Sequence, residues 1–286
     1  MSAISPELYN FILISKNEIA REVLATHFSI SPSLKERYTE FHINHYLNDT
    51  EYTLTYLAES AYHGEPGLFI DYMKWCKIFF ASINLIDEEM FRFFEILGRK
   101  LAVMVKDDPD PVLLMIYNSG LETFNSTEPE EKSYIDTSSP LGEVASGYIK
   151  DLIAGDRRSA VERVMEVQRT GIPIRKIYEE IFKPVMWETG RLWHRGEITV
   201  AHEHFITAVT QLSMSQLYPF LFDYQNRKNR AVIVACVPNE LHEIGARMIA
   251  DFFEMEGWDS YFFGANTPTS SIIKAVQDYN VEVLAL

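Results

Sequence analysis

The stretch Ala231-Val-Ile-Val-Ala-Cys-Val237 decides the fold of the C-terminal part of the chain. It is short, unbroken and rich in β-branched residues, which is typical of a strand buried on both faces. A helical pattern from Ile244 to Glu256 follows it and is closed by Gly257. The next patterns along the chain are a strand at 260–263, a helix at 268–279 and a strand at 281–286. This alternation predicts an α/β domain with a Rossmann-like, or flavodoxin-like, parallel sheet and right-handed crossovers.

We assign this α/β domain to residues 226–286, and it contains three strands before Leu286. An open sheet with a helix layer on each face normally has about five strands. We therefore expect the domain to be truncated after its third strand.

Helical patterns fill the preceding region, residues 141–225. About four helices are expected there, so the region is predicted to be a four-helix bundle. The first two expected helices run from 141 to 153 and from 156 to 169, the second with Asp156 as its N-cap. The third has Pro173 near its first turn, and the fourth runs from about 200 to 218. Before the bundle, residues 125–140 gather Ser, Thr, Pro and acidic residues without periodicity, so we interpret them as a solvated linker.

Residues 1–124 are predicted to form a separate helical domain, because apolar residues recur there at three-to-four spacing. One such set is Phe69, Tyr72, Met73 and Cys76. One interpretation is a packing and dimerisation domain, which predicts a homo-oligomer. The other interpretation is a second sensor domain. The complete fold class is therefore multidomain, with α and α/β parts.

Composition excludes several classes of protein. The 286 residues carry a net charge of −15 and no Lys/Arg stripe, which argues against direct nucleic-acid binding. Cys76 and Cys236 lie in apolar runs, which indicates buried thiols in a reducing compartment. Neither a basic-then-apolar leader nor a membrane-spanning apolar stretch is visible in the sequence. We therefore expect a cytoplasmic protein that does not contact membranes.

The candidate site begins at the carboxyl end of the first strand, where ligands of open α/β sheets bind. The loop there contains Glu240-x-His242-x-x-Gly245. A His in this position offers a ring nitrogen to a metal, Glu240 can accept a hydrogen bond from the other nitrogen, and Gly245 leaves room for a flat ligand. The alternative is a loop His with an incidental Gly, which is the commoner explanation for an isolated motif of this kind.

A second loop follows the second strand and would line the same edge of the sheet. It reads Gly264-Ala-Asn266-Thr267-Pro268. We expect Thr267 to be the N-cap of the next helix and Pro268 its first residue. The alternative is a plain strand-to-helix turn.

The bundle contributes a second group of candidate residues. Trp193 and His194 are expected near the end of one helix, and Glu203 and His204 in the first turn of the next. Nine residues separate Trp193 from Glu203, so these side chains can converge where the two helices meet. The alternative is that they are ordinary core and rim residues of the bundle.

These residues together resemble a known family, the adenosylcobalamin photoreceptors, which includes light-responsive transcriptional repressors and photocobilins. The resemblance rests on the Trp, the nine-residue gap, the Glu-His pair and the Glu-x-His-x-x-Gly loop, and it covers residues 140–286. It implies a bundle over the upper face of the corrin and an α/β domain that holds the lower face and the nucleotide tail. It implies that His242 is the lower axial cobalt ligand, Glu240 its hydrogen-bonded partner and Gly245 the close-approach glycine.

On the upper face, the resemblance implies that Trp193 packs against the adenosyl group and that Glu203 and His204 line its pocket. The family has a His directly after this Trp, which becomes the second axial ligand once light has removed the adenosyl group. His194 matches it. The sequence departs from the family at Glu240, where many corrinoid proteins have Asp. It also lacks the Ser-x-Leu or Ser-x-Thr element and the Gly-Gly pair that embrace the nucleotide tail.

The resemblance implies a light-sensing signalling protein in which photolysis of the adenosyl–cobalt bond rearranges the cap. The alternative is a corrinoid methyl carrier that serves a methyltransferase, which needs an open upper face. A third possibility is a helical scaffold with a vestigial α/β domain. Kinase, cyclase and helix-turn-helix signatures are missing from the sequence, so we expect the output to pass to a partner protein or to a missing effector.

Photocobilins also hold a bilin, so the resemblance implies a chromophore such as biliverdin in the aromatic-rich N-terminal domain. Cys76 lies mid-helix among apolar residues. A thioether link from Cys76 to a bilin is therefore not favoured over a buried thiol.

Overall fold

The computed structural model describes residues 3–83, 85, 88–106, 111–128, 132–221 and 227–286. The chain divides into two compact units, Met1–Glu131 and Lys132–Leu286. The division falls inside the predicted linker. The predicted boundary between residues 225 and 226 lies outside the described residues.

The N-terminal unit is helical throughout its described elements. Ser5 begins the first helix as its N-cap, because its side chain accepts a hydrogen bond from Leu8 N. Gly64, with φ +66°, ends the third helix in the left-handed region. The helices are α1 Pro6–Ile30, α2 Pro32–Arg37, α3 Glu40–His63, α4 Pro66–Ser82, α5 Glu88–Met104 and α6 Val112–Ser126.

The core of this unit lies between α1, α3, α4, α5 and α6. Leu57, Phe69, Leu97 and Phe124 are fully buried in it. Helices α4 and α6 approach so closely that a Cβ added at Gly120 would meet the Phe69 ring at 2.4 Å. The sequence therefore needs glycine at that point of α6 for the two helices to pack.

The C-terminal unit contains the predicted four-helix bundle. Asp156 is the N-cap of the second helix, as expected, and its carboxylate accepts from Ser159 N at 3.0 Å. The elements are α7 Pro140–Ile153, α8 Arg157–Arg169, α9 Ile174–Ile177, a π-helical turn Tyr178–Phe182, α10 Lys183–His194, α11 Val200–Leu217 and a 3₁₀ turn Tyr218–Phe220.

The third helix of the bundle differs from the sequence expectation, because the π turn interrupts it. A π turn inserts an extra residue into the helix and re-aims the side chains on either side of it. Tyr178, at its start, is buried and donates from its hydroxyl to Asp251 Oδ2 at 2.7 Å. Asp251 belongs to the α/β part, so this bond joins the bundle to it.

The α/β part contains three parallel strands in the order β2-β1-β3. Ile233 of the central strand lies opposite Tyr261 and Leu284. Val232 and Val234 pack on one face of the sheet with Ala250 and Trp258, and Ile233 packs on the other with Ile272. The elements are β1 Ala231–Val234, α12 Ile244–Met255, β2 Asp259–Phe262, α13 Thr269–Tyr279 and β3 Val283–Ala285. The predicted fold class, helical domain, bundle and parallel α/β sheet, is confirmed.

Two local expectations were wrong. The first strand ends at Val234 rather than Val237, because Cys236 N bonds to Gly264 O instead of continuing the ladder. Thr267 is not the N-cap of α13: Pro268 occupies that position, with ψ 132°, and the helix begins one residue later. The Thr267 hydroxyl turns back to its own loop and donates to Gly264 O at 3.3 Å.

Both cysteines are free and buried, as expected. Among the described helices, none combines the length and the apolar character needed to cross a bilayer.

Candidate functional site

The loop between β1 and α12 orients His242. Glu240 Oε1 accepts two hydrogen bonds from this residue, one from its backbone N at 2.6 Å and one from Nδ1 at 2.7 Å. The backbone N–H of His242, then its side chain, hold the pKa of the Glu240 carboxyl below its usual range. Glu240 is therefore an ionised acceptor at neutral pH, and Nδ1 of a neutral His242 must carry the proton.

This arrangement leaves Nε2 of His242 as the ring nitrogen that is available to a metal. The His242 side chain is 94% exposed, and its Nε2 has no hydrogen-bond partner among the described residues. A carboxylate that fixes the protonated nitrogen of a ligating His raises the basicity of the other nitrogen. The longer arm of Glu, compared with the Asp of many corrinoid proteins, still reaches Nδ1.

The two glycines of the site have different surroundings. A Cβ added at Gly245 would meet nothing within 4 Å, so space is open beside the first turn of α12. Gly264 has φ +76°, and a Cβ there would lie 3.0 Å from Glu243 Oε2. Gly245 therefore leaves open space beside α12. Gly264 instead allows the backbone to turn with a positive φ, which a residue with a side chain would adopt only with strain.

The loop after β2 supports the loop after β1. Asn266 N donates to Glu240 O at 2.9 Å, and Asn266 Oδ1 accepts from Asn239 N at 2.9 Å. Thr267 N donates to Cys236 O at 3.2 Å. Asn266 thus holds the loop at Asn239 and Glu240, and Thr267 holds the start of the same loop at Cys236, roles that their sequence positions did not reveal.

A cavity of about 440 Å³ opens at the carboxyl ends of β1 and β3, next to His242. Most of its wall is apolar, and it is bounded on one side by α12. Its lining comprises Val234, Ala235, Cys236, Val237, Glu240, His242, Ala246, Ile249, Ala285 and Leu286.

The predicted cap residues lie at the junction of α10 and α11. Trp193 is half-buried and packs against the bundle core, and His194 beside it is only 4% exposed. In the first turn of α11, His204 Nε2 lies 3.5 Å from Glu203 Oε2. Glu203 Oε1 also accepts from Thr207 Oγ1 at 3.0 Å. The structure therefore brings Trp193 with His194, and Glu203 with His204, to one helix junction.

His202 has a structural role at this junction that the sequence analysis missed. Its Nδ1 accepts from Thr199 N at 3.2 Å and lies 2.8 Å from Thr199 Oγ1, in a capping box that begins α11. The Thr-x-x-His spacing was the available signal. The capping box fixes where α11 starts, and with it the positions of Glu203 and His204.

The cap and the ligand loop are connected through two residues that sequence reasoning also missed. Gln211 Nε2 donates to Glu243 Oε1 at 2.5 Å, and Glu243 directly follows His242. Glu203, Thr207 and Gln211 recur every four residues and share one face of α11. Eight residues at 1.5 Å rise put Glu203 roughly 12 Å along the helix from this contact.

These residues fit a corrinoid. The corrin ring brings its own nitrogen ligands to cobalt, so the protein would need to supply only one His with an available Nε2, which His242 offers. The open space beside Gly245 and the apolar cavity next to His242 suit a large, flat ligand with a tail. A four-helix bundle packed beside a parallel α/β sheet is the arrangement expected of a cobalamin-binding module with a helical cap.

The comparisons with known sequences agree with this class. Residues 144–218 match a family model described as a B12 binding domain, and residues 230–286 match a second model with the same description. The HTH-type transcriptional repressor CarH of Myxococcus xanthus is 28% identical over 116 residues. That alignment covers 41% of this chain and 38% of the length of the relative. The matches support cobalamin as the ligand of the C-terminal unit.

The solved structures that resemble part of this chain include the following three. The Methanosarcina barkeri monomethylamine corrinoid protein has a TM-score of 0.43 and 17% identity, over 50% of this chain and 68% of its own. A cobalamin-binding protein from Desulfitobacterium hafniense DCB-2 has a TM-score of 0.29 and 20% identity, over 49% and 66%. The methanol:cobalamin methyltransferase complex MtaBC from Methanosarcina barkeri has a TM-score of 0.31 and 16% identity, over 50% and 55%.

Proposed function

We propose that this chain is a light-sensing signalling protein that binds adenosylcobalamin. The observation that supports the proposal most is the α10–α11 junction, where Trp193 and His194 end one helix and the Glu203–His204 pair begins the next. An indole and a polar Glu-His pair suit an adenosyl group, which has an aromatic base and ribose hydroxyls. A methyl group would need neither.

On the lower face, His242 would bind the cobalt and Glu240 would orient the His242 ring. Glu240 holds the proton on Nδ1 and keeps the imidazole in one position, so that Nε2 is directed to the metal without reorganisation. Gly245 keeps the approach clear, and the apolar cavity at the ends of β1 and β3 excludes water from the buried part of the ligand. Bound adenosylcobalamin supplies a cobalt–carbon bond that visible light breaks.

On the upper face, Trp193 would hold the adenosyl group by packing against it, and photolysis would remove that packing partner. His194 would be the residue that binds the cobalt after photolysis, and its side chain is buried. Its ring must therefore leave the bundle interior, which requires the end of α10 to move. A cap with two packed arrangements is the kind of bistable element that converts a local event into a signal.

The test is spectroscopic. The purified full chain is loaded with adenosylcobalamin in the dark, its visible spectrum is recorded, and it is then exposed to green light. We expect His242→Ala to weaken retention, and His194→Ala to leave dark binding intact while altering the illuminated spectrum. His63→Ala, on an exposed side chain of the N-terminal unit, is the matched control.

A spectrum that green light does not change would refute the photoreceptor proposal. Retention of methylcobalamin in preference to adenosylcobalamin would favour the corrinoid methyl carrier instead. A chain that retains neither form would favour the scaffold alternative.

The second chromophore stays a prediction for the N-terminal unit. Burial raises the pKa of the Cys76 thiol to about 12, so this cysteine is a poor nucleophile for a thioether link. A bilin would therefore be held without a covalent bond to Cys76. Addition of biliverdin and a search for a far-red absorption band test this, and size-exclusion with light scattering in the dark and in light tests the predicted homo-oligomer.

A further inference from the structure

The segment that leads into the bundle, residues 132–139, is bound to α10, and we call it the strap. Tyr134 N donates a hydrogen bond to Glu188 Oε2 at 3.0 Å. The Tyr134 ring packs edge-on against Trp187, with 5.6 Å between the ring centroids. Ile135 packs against the apolar core of the bundle. Sequence composition had indicated a solvated linker here, but the structure shows polar and aromatic contacts to α10 and an apolar contact to the bundle core.

The acceptor in this contact is a buried, rigid carboxylate. Glu188 is 6% exposed. Arg191 donates to both of its carboxylate oxygens, from Nε to Oε2 at 3.0 Å and from Nη2 to Oε1 at 2.7 Å. Burial alone would raise the pKa of Glu188, but hydrogen bonds from Arg191 and from Tyr134 N lower it below its usual range. A bidentate pair of this kind has one favoured geometry, so Glu188 presents Oε2 to the strap in a fixed direction.

The other end of the strap is equally constrained. Ser139 is the N-cap of α7, and its hydroxyl accepts from Gly142 N at 3.0 Å. A Cβ added at Gly142 would lie only 1.7 Å from Asp136 O, so the strap crosses the start of α7 in close contact. The strap is therefore fixed between α7 and α10 and has little freedom of its own.

The anchor of the strap and the proposed sensor residues belong to the same helix. Glu188 precedes Trp193 by five residues in α10, which is roughly 7.5 Å along the axis. Arg191, which fixes Glu188, lies two residues before Trp193 and three before His194. Movement of the end of α10 must therefore shift the carboxylate that holds Tyr134.

We propose that the strap is the output element of the cap, and that Glu188 is the positioning residue that couples it to α10. The inference rests on the light-sensing function proposed above. When the end of α10 rearranges, the bond from Tyr134 N to Glu188 breaks and the strap leaves the helix. The first residues of the C-terminal unit are thereby released in the light and held in the dark.

Amide hydrogen exchange of the full ligand-free chain tests the contact itself. We expect Glu188→Ala to speed exchange in the peptide covering residues 132–140 by about tenfold, because an amide loses an acceptor that is charged. Glu180→Gln, an exposed carboxylate of the preceding π turn, is the control and should change nothing. Equal exchange in the two variants would overturn the inference.

Glu188→Ala also removes the partner of Arg191, which can unfold the bundle. Trp187→Ala avoids this, because Trp187 is 54% exposed and lies outside the ion pair. It should speed exchange of the same peptide while leaving exchange of α7 and α11 unchanged. Exchange in the strap that does not respond to Trp187→Ala, in a folded variant, would count against docking on α10.

Illumination of the adenosylcobalamin-loaded chain tests the coupling. We expect light to speed exchange of the strap to the level seen with Glu188→Ala, and to have no further effect in that variant. Photolysis in the spectrum with unchanged strap exchange would overturn this inference alone and leave the photoreceptor proposal standing. A spectrum that light does not change would overturn both.

Discussion

The carboxylate of Glu243 connects the bundle to the ligand loop by accepting a hydrogen bond from Gln211, with 2.5 Å between Oε1 and Nε2. Its other oxygen, Oε2, accepts from Ala265 N at 2.9 Å. Arg247 completes the contact by donating to Gln211 O at 3.3 Å. One residue next to His242 therefore sets the position of α11, of its own loop and of the loop after β2.

We expect Glu243→Ala to weaken dark binding of adenosylcobalamin by about tenfold, the lower end of what outer-shell changes cost at metal sites. The reason is that the bundle and the two loops lose their common partner, so the ligand must order them as it binds. Spectral titration in the dark measures the affinity. Glu256→Ala, an exposed carboxylate just beyond the far end of α12, is the control. Equal affinities in the two variants would show that Glu243 does not position the site.

The two site glycines separate ligand clearance from backbone strain. Gly245→Ala should leave the ligand-free protein intact or stabilise it by up to about 1 kcal/mol, because the position is helical and the added Cβ meets nothing. The same methyl group should lower cobalamin affinity, because it fills the space left for the ligand. Gly264→Ala should instead destabilise the ligand-free protein by about 1–3 kcal/mol, owing to its positive φ and the nearby Glu243.

Thermal unfolding of the ligand-free variants and spectral titration with adenosylcobalamin in the dark measure these two effects. We expect Gly245→Ala to change mainly the cobalamin affinity and Gly264→Ala to change mainly the stability. Wild-type affinity in Gly245→Ala would mean that the corrin does not approach α12 at this turn.

The buried pair of Tyr178 and Asp251 should hold the bundle against α12. Burial raises the pKa of Asp251, and the Tyr178 hydroxyl opposes that rise by donating to the carboxylate. Tyr178→Phe leaves a buried carboxylate without this donor, so we expect a loss of about 1–3 kcal/mol in the stability of the C-terminal unit. In an Asp251→Asn background the same change should cost less, because an amide is cheaper to bury than a charge.

Thermal unfolding of the full chain, with amide exchange of α12 used to assign the transition, measures this coupling. Tyr279→Phe, on a half-exposed ring of α13, is the control. Strictly additive losses would show that Tyr178 and Asp251 do not act as a pair.

The sequence predicted those features that depend on local pattern. The buried β1 strand, the N-cap Asp156 and the hydrogen bond of Glu240 to His242 all rest on residues within a few positions of one another. Strand length was less predictable, because Val234 is the last residue of β1 that finds a partner in β2. Where a strand ends depends on its neighbours as well as on its own apolar run.

The residues that the sequence did not identify were missed for one physical reason. Glu188, Gln211 and Glu243 are polar side chains on helices or loops, and periodicity assigns such positions to solvent. Their importance comes from tertiary partners, which lie 54 residues apart in the case of Glu188 and Tyr134 and 32 in the case of Gln211 and Glu243. A sequence pattern of three to seven residues does not contain that information.

Acid should release the strap from α10. The pKa of Glu188 is lowered in the folded protein, so its carboxylate stabilises the docked strap above the ordinary Glu pKa of about 4.3, and this contribution is lost as pH falls through the lowered value. Arg191 keeps its charge throughout this range. We therefore expect exchange of residues 132–140, corrected for the intrinsic pH dependence of exchange, to be constant from neutral pH to about 5 and to rise below about 4.

A second carboxyl group must be separated from this effect. The pKa of Asp136, within the strap, is also lowered, by hydrogen bonds from the side chain and then the backbone of Ser138. Asp136→Asn should keep the acid-dependent rise in exchange, since the bond from Tyr134 N to Glu188 is untouched. Glu188→Gln should abolish the rise, because no group that titrates then holds Tyr134. An acid-dependent rise that persists in Glu188→Gln and vanishes in Asp136→Asn would place the switch in the strap's own turn and not on α10.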